Sequence, residues 1–146
     1  MPTQRSTRQQ QAVEKALEHA GRPLSPAEIQ EAASEWAPSI GLATVYRAVK
    51  RLVESGEAAP VDLPGESTRY ETRHAAHRHH HHFHCEDCGR VYDVDACAPG
   101  VHDMAPPGFD VTRHEIVLYG SCEACVAEAP ADARADHQDP PAEPVT

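Results

Sequence analysis

The sequence is poor in large aromatic side chains and has no long apolar run. Its 146 residues include two Phe and one Trp, although 40% are hydrophobic. Such a chain can bury only a small core, and its stability would benefit from a cross-link such as a bound metal ion. No stretch approaches the ~20 apolar residues of a membrane-spanning helix, and no signal-peptide pattern is found. We therefore expect a cytoplasmic location and no membrane partner.

The cysteines do not form an even set. They occur as Cys85 and Cys88 in CEDC, as Cys122 and Cys125 in SCEAC, and as a single Cys97. The odd number argues against full disulfide pairing, and paired C-x-x-C units in a reducing compartment are more often metal ligands. The two C-x-x-C units can close one tetrahedral thiolate site for Zn²⁺.

Positive charge is scarce, since the net charge is −10, but the deficit is not uniform. Residues 1–56 carry a net charge of +1 and residues 57–146 carry −11. Such an asymmetry between halves indicates two modules with different functions. The acidic balance of the second half therefore does not exclude nucleic-acid binding by the first.

The first module has the pattern of three helices. The first helix ends at Gly21, and the second begins with a capping box of Ser25 and Glu28 and extends about a dozen residues towards Pro38. The third, GLATVYRAVKRLVESG, is amphipathic. Its predicted buried stripe consists of Leu42, Val45, Val49, Leu52 and Val53.

The opposite face of the third helix is suited to DNA. A recognition helix needs small and hydrogen-bonding groups near its start and cations for phosphates. The candidate residues are Thr44, Tyr46, Arg47, Lys50 and Arg51. Two extended runs joined by a Pro64-Gly65 turn follow, so the order of elements predicts a winged helix-turn-helix. The alternative for the helix is a core helix with a solvated cationic face.

The second module begins with the histidine-rich run HRHHHHFHCEDCGR, residues 77–90. Patterned sequence flanks it, so it is not an expression tag. In a strand, alternate side chains share a face, so His80, His82 and His84 point one way and His79 and His81 the other. Two faces suggest two ligand sets. Partners within reach by sequence position are Glu71, Asp93 and His114, the last on a long strand predicted from Phe109 into the second C-x-x-C.

Four segments carry a resemblance to a known family: GLATVYRAVKRL, RYE, HHHHFHCEDCGRVYDV and HEIVLYGSCEAC. Together they resemble the ferric uptake regulator family, bacterial repressors that sense iron, zinc, manganese or peroxide. The resemblance implies an α+β fold, with an N-terminal winged helix-turn-helix followed by a small α/β dimerisation domain that carries a four-cysteine zinc site. It also implies a homodimer that binds double-stranded operator DNA, with Tyr46 and Arg47 among the contacts and metal as corepressor.

The resemblance assigns metal-binding roles as well. The structural zinc ligands it implies are Cys85, Cys88, Cys122 and Cys125. The regulatory site it implies consists of Glu71, His80, His82 and Asp93. The further site it implies contains His79, His81 and His114, with Cys97 near the place of a carboxylate ligand. Cys97 is either a ligand or a small buried residue. The expected domains are residues 1–72 and 73–126, and residues 127–146 form a disordered acidic, proline-rich tail.

Two departures bear on the metal and the dimer. Pro23 stands where iron and peroxide sensors of the family commonly have a histidine, which favours four-coordinate Zn²⁺ as the signal. Fe²⁺ or Mn²⁺ is the alternative if His74, His77 or His84 replaces the missing ligand. The segment ACAPGVHDMAPPGF is too rich in proline for the family's long dimerisation helix, so we expect a shorter interface.

Two other functions compete with a repressor. HCE followed by CEAC imitates the zinc nucleoside deaminases, but Ser121 replaces the required proline and the module offers little room for a small-molecule substrate. We therefore expect no enzyme. A metal-storage protein would explain the histidines but not the first module.

Overall fold

Three helices and a hairpin precede a small three-stranded sheet. The structure, a computed structural model, describes residues 4–130, so residues 131–146 of the predicted tail (127–146) lie outside the described residues. In chain order the elements are α1 (Gln4–Ala20), α2 (Pro26–Ala33), α3 (Leu42–Glu54), β1 (Ala58–Val61), β2 (Arg69–Thr72), α4 (Arg73–Ala76), β3 (His81–Cys85), β4 (Val91–Val94), a 3-10 turn (Val101–Met104), β5 (Val117–Gly120) and α5 (Glu123–Glu128). No helix within residues 4–130 is long and apolar enough to cross a membrane.

Local sequence signals fix the ends of the first helices. Gly21 follows α1 with φ of +59°, a left-handed conformation that favours glycine. At the start of α2, the Ser25 hydroxyl accepts from the Glu28 N–H at 3.2 Å, and the Glu28 carboxylate accepts from the Ser25 N–H at 3.3 Å. The predicted length of α2 is wrong, because the Ser34 hydroxyl donates to the Glu31 carbonyl and turns follow.

The apolar faces of α1, α2 and α3 form the main hydrophobic core. Its largest fully buried side chains are Leu24, Ile29, Leu52, Val13, Val45 and Val49. The predicted stripe of α3 is buried or half-buried except at Leu42, which is 42% exposed. Leu42 occupies the first position of the helix, and Ile40, just before it, is buried in the core instead.

The hairpin of β1 and β2 is antiparallel and completes the predicted winged helix-turn-helix. An isolated pairing of Leu24 with Tyr70, through two backbone hydrogen bonds of 2.9 Å, ties the α1–α2 loop to β2. Strand β2 therefore lies between β1 and the α1–α2 loop, and the loop anchors the wing to the helices.

The second sheet has the order β4-β3-β5, antiparallel between β3 and β4 and parallel between β3 and β5. The predicted long strand from Phe109 is wrong in extent. Strand β5 begins only at Val117, because the preceding Ile116 N–H donates to the His81 imidazole, at 3.2 Å, instead of joining a strand ladder. The α+β class and the order of the two units agree with the sequence prediction.

The second unit has almost no apolar core of its own. Among residues 73–130, Val91 is the one aliphatic side chain that is buried, and the other buried apolar groups are the thiols of Cys85 and Cys122. Val91 packs with Val61, Leu63 and the half-buried Val117. The fold of this unit must therefore draw on contacts other than hydrophobic packing.

Candidate metal centres and DNA-binding face

The four paired cysteines converge on one point, here called the thiolate cluster (Cys85, Cys88, Cys122, Cys125). The Cys85 and Cys125 sulfurs are 3.8 Å apart, and so are those of Cys88 and Cys122. Tetrahedral Zn²⁺ with Zn–S bonds of about 2.3 Å requires sulfur separations of about 3.8 Å. The spacing therefore fits a Zn²⁺ site and is far too long for a disulfide.

The backbone favours thiolates in this cluster. Burial raises the pKa of the Cys85 thiol, but backbone N–H groups, led by that of Cys88, lower it to about 6. The Cys125 N–H lowers the pKa of Cys122, whereas the hydrogen bond with Cys122 raises the pKa of Cys125. Neighbouring thiolates repel, and a divalent cation is the group that allows all four to ionise together.

A second group, the bridging cluster (Glu71, His80, His82, Asp93), joins the wing to the second sheet. Glu71 lies on β2, whereas Asp93 on β4 is the cross-strand partner of His82 on β3. The Glu71 Oε2 to His80 Nε2 distance is 3.2 Å, and His82 Nε2 lies 3.7 Å from Asp93 Oδ1. All four ligand atoms lie within 4.8 Å of one another.

The donor set of the bridging cluster fits a divalent cation. His80 Nδ1 donates to the Arg78 carbonyl at 2.6 Å, which leaves its Nε2 lone pair facing the cluster. His82 Nε2 and Asp93 Oδ1 are buried and have no hydrogen-bond partner. Burial raises the pKa of Asp93, and the charge of Glu71 raises it further. Buried polar atoms without partners and two crowded carboxylates are both costly unless a cation is bound.

The third group, the loop cluster (His79, His81, Cys97, His114), lies on the other side of β3. His114 Nε2 is 3.1 Å from the Cys97 sulfur and 3.2 Å from His81 Nε2. Because His81 Nδ1 accepts the Ile116 N–H, the neutral ring carries its proton on Nε2, and a cation can bind at Nε2 only if that proton moves to Nδ1 and the hydrogen bond from Ile116 is given up. Three imidazoles and one thiol are a donor set that suits Zn²⁺.

Sequence reasoning missed His102 at the loop cluster. It lies in the 3-10 turn, and its Nε2 is 2.8 Å from His114 Nδ1. No periodic pattern surrounds His102 in the sequence, and only the path of the chain brings it beside His114. Burial and the neighbouring imidazoles, His102 and His79, lower the pKa of His114, so the ring is neutral, as metal ligation requires.

Three other histidines were candidates for a replacement ligand. His84 lies outside the bridging cluster, and its Nε2 lies 3.2 Å from Glu66 Oε1. His77 contacts Arg73 within the α4 region at 3.2 Å, and His74 is exposed on the same helix. None of the three belongs to the clusters found among the described residues.

A buried arginine forms a further link between the two units. The Arg69 guanidinium on β2 binds the Glu28 carboxylate of α2 and donates to the Gly89 carbonyl at 2.6 Å. Gly89 directly follows Cys88, so this contact connects the thiolate cluster with the helices.

The bridging cluster borders a cleft of about 740 Å³ between α1 and α4. Glu71 and Asp93 line this cleft, which gives solvent access to the cluster.

The candidate DNA-binding residues lie on the outer face of α3. Tyr46 is 52% exposed, and Arg47, Lys50 and Arg51 are exposed as well. Thr44 is half-buried, and its hydroxyl accepts from the Arg47 guanidinium at 3.3 Å. A buried stripe on one side and an exposed cationic face on the other fit a recognition helix and equally fit the alternative, a core helix with a solvated cationic face.

Comparison with known proteins identifies a family that matches most of this chain. The sequence matches the profile of the Ferric uptake regulator family over residues 3–119. The chain belongs to this family. Members of the Ferric uptake regulator family are metal-responsive transcriptional regulators and not enzymes, so the zinc deaminase alternative is removed.

Individual members of the Ferric uptake regulator family show the extent of the similarity. The chain is 30% identical over 132 residues to the peroxide-responsive repressor PerR of Staphylococcus epidermidis, covering 85% of this chain and 83% of that protein. It is 30% identical over 113 residues to the ferric uptake regulation protein of Bacillus subtilis, covering 75% and 76%. A solved structure of a zinc-bound manganese uptake regulator is similar with a TM-score of 0.66 at 25% identity, covering 78% and 87%.

Proposed function

We propose that this protein is a zinc-responsive repressor that binds double-stranded operator DNA as a homodimer. The observation that carries the proposal is the position of Glu71. This residue belongs to the wing, yet its carboxylate lies 3.2 Å from His80, which belongs to the second unit. An ion held by the bridging cluster therefore ties the DNA-binding unit to the rest of the chain. The proposed domains are residues 1–72 and 73–126.

The bridging cluster can act as a switch because it fixes an angle. In a dimer, the angle between the two units sets the separation of the recognition helices, which must match half-sites about 34 Å apart, one turn of DNA. Without the ion, the charges of Glu71 and Asp93 repel across the boundary between wing and sheet. Metal binding then shifts the population towards the arrangement that binds DNA.

The thiolate cluster is proposed to hold a second, tightly bound Zn²⁺ with a structural role. Cys85 and Cys122 are buried, and the cluster pins the β3–β4 turn to the start of α5. The bridging cluster, by contrast, borders an open cleft. We therefore infer that the ion of the thiolate cluster exchanges slowly and that of the bridging cluster exchanges with its surroundings.

A second copy of the chain is the proposed partner of the β5 edge. Strand β5 is at the edge of its sheet, and Leu118 and Tyr119 on it are 47% and 49% exposed. An apolar edge strand of this kind invites pairing with another chain. The segment before β5 forms a 3-10 turn, and its prolines are incompatible with a long dimerisation helix. The proposed interface is therefore short.

Zinc is favoured as the signal by the ligands that the chain offers. Pro23 is fully buried and supplies no donor where a histidine would extend the regulatory set. The bridging cluster then has two imidazoles and two carboxylates, which suits four-coordinate Zn²⁺ better than the higher coordination of Fe²⁺ or Mn²⁺. We propose that the loop cluster binds Zn²⁺ as well, since its Cys97 thiol favours this metal.

The function is tested by DNA selection from a random duplex pool in buffered free Zn²⁺, followed by anisotropy titrations of the selected duplex with Zn²⁺, Fe²⁺ or Mn²⁺. We expect half-saturation at a far lower free concentration of Zn²⁺ than of Fe²⁺ or Mn²⁺. Zn²⁺ generally binds protein sites more tightly than either ion, and it suits this ligand set. Equal DNA affinity with and without metal would contradict the corepressor role. Activation by Fe²⁺ or Mn²⁺ at cellular free concentrations, with Zn²⁺ inactive beyond the thiolate cluster, would contradict the choice of metal.

The DNA-binding face gives a separate prediction. Lys50→Ala should weaken binding to all duplexes and reduce the slope of log affinity against log salt by about one at most, since one phosphate contact is lost. Arg47→Ala should lose affinity mainly on particular base pairs of the selected duplex. Lys15→Ala removes another exposed cation, on α1, and serves as the control. If Lys15→Ala and Lys50→Ala have the same effect, α3 is not the recognition helix.

A further inference from the structure

Residues 95–116 connect β4 to β5 without any buried side chain. The one helical element in this segment is the 3-10 turn at Val101–Met104, and the backbone hydrogen bonds of the segment are local turns except at its end, where the Ile116 carbonyl accepts from the His82 N–H at 3.2 Å. Met104 is 83% exposed and Phe109 is 71% exposed. Hydrophobic burial therefore contributes little to holding this segment in place.

Polar side chains close the segment on itself. Cys97 near its start lies 3.1 Å from His114 near its end, and His102 in the middle lies 2.8 Å from the other nitrogen of His114. His114 in turn contacts His81 on β3 at 3.2 Å. A long loop is thus closed at one imidazole, and that imidazole belongs to the loop cluster.

We propose that the metal held by the loop cluster is the staple that folds residues 95–116, and that His102 is the positioning residue that orients His114 for it. This inference rests on the metal-binding role proposed above for the loop cluster. Zn²⁺ joins Cys97 and His114 to His79 and to His81 at the start of β3. A segment without a core thus gains a fixed position through its own ligands. The exposed Met104 and Phe109 have a defined place only when this cluster is loaded.

His102 acts through the ring of His114. With the His114 proton on Nδ1, that N–H donates to His102 Nε2, and the Nε2 lone pair of His114 faces Cys97 and His81. A partner of this kind fixes the tautomer of the ring and restricts its rotation. His102 is exposed and belongs to neither unit's core, so its replacement leaves the packing unchanged.

The test uses the full chain with Zn²⁺ in the thiolate cluster and Co²⁺ as the added probe. Because the bridging cluster has no sulfur, a thiolate-to-Co²⁺ charge-transfer band reports Cys97 alone. We expect the band in the parent protein and its loss in Cys97→Ser. Amide exchange in residues 95–116 should slow by about 100-fold when free Zn²⁺ exceeds the Kd of the loop cluster by about 100-fold.

The role of His102 is tested by variants at that position. His102→Ala should weaken Co²⁺ binding by about 10- to 100-fold, whereas His102→Gln, whose amide oxygen can accept from His114, should restore most of it. Asp103→Asn is the matched exposed control and should bind like the parent. Absence of the thiolate band, or a band without slower amide exchange, would show that metal does not fold residues 95–116. Parental Co²⁺ affinity in His102→Ala would contradict the positioning role of His102. These readouts do not involve DNA, so they are independent of whether the bridging cluster controls repression.

Discussion

Cys122→Ser should unfold the second half of the protein while the helical half stays folded. Val91 is the one buried aliphatic side chain of residues 73–130, and burying a valine contributes about 1.5–3 kcal/mol. A structural Zn²⁺ contributes roughly 10–16 kcal/mol in zinc-finger peptides. The thiolate cluster therefore outweighs the apolar core of this unit, and opening it removes the main source of its stability. Helices α1–α3 keep a core that contains no ligand of the cluster.

Metal content, thermal unfolding and amide exchange measure this effect. We expect Cys122→Ser to lose the tightly bound Zn²⁺, to lose exchange protection in β3, β4 and β5, and to keep protection in α1–α3. Strong chelation of the parent protein should have the same result. Ala124→Ser is the control, because Ala124 lies between the cluster's last two cysteines in the sequence, is exposed and belongs to none of the three clusters. A Cys122→Ser variant with parental zinc content and melting temperature would show that the cluster is not a structural zinc site.

Glu71→Gln should abolish metal-dependent DNA binding without unfolding either half. The substitution keeps the size of the side chain and removes one charge from a crowded pair of carboxylates. Burial raises the pKa of Asp93 and the charge of Glu71 raises it further. Burial lowers the pKa of His80, but the Arg78 carbonyl and Glu71 together raise it. In the metal-free protein the substitution removes one repulsion and one attraction, so the variant should melt close to the parent, whereas the increase in melting temperature on adding Zn²⁺ should shrink.

The expected loss in metal-induced DNA affinity is about 5- to 150-fold, the usual range of a coupling between two sites. Two aspartates, one on β4 and one just beyond it, provide a matched comparison. Asp93→Asn removes a buried ligand atom without a partner and should behave like Glu71→Gln, whereas Asp95→Asn changes an exposed carboxylate paired with Arg78 and should behave like the parent. If Glu71→Gln responds to metal like the parent, the switch does not span the wing and the sheet.

Elements fixed by short-range interactions were predictable from the sequence alone. The capping box at Ser25, the glycine after α1, the stripe of α3 and the two C-x-x-C turns each depend on residues within one or two turns of one another. The grouping of the cysteines followed from chemistry, since two C-x-x-C units have few other uses in a reducing environment. The alternation of histidines over residues 79–82, which lead into β3, likewise separates His80 and His82 from His79 and His81 without any tertiary information.

The tertiary structure decided what depends on contacts between distant residues. Strand β5 is short because Ile116 bonds to a side chain 35 residues earlier, and His84 turns to Glu66 rather than to its neighbours on the same face. The link from Arg69 to Glu28 and Gly89, and the place of His102 behind His114, have no local signal. A sequence pattern reports which face a side chain occupies, because that follows from backbone periodicity. Which groups meet on that face depends on how the chain closes its long loops, and only the folded molecule contains that information.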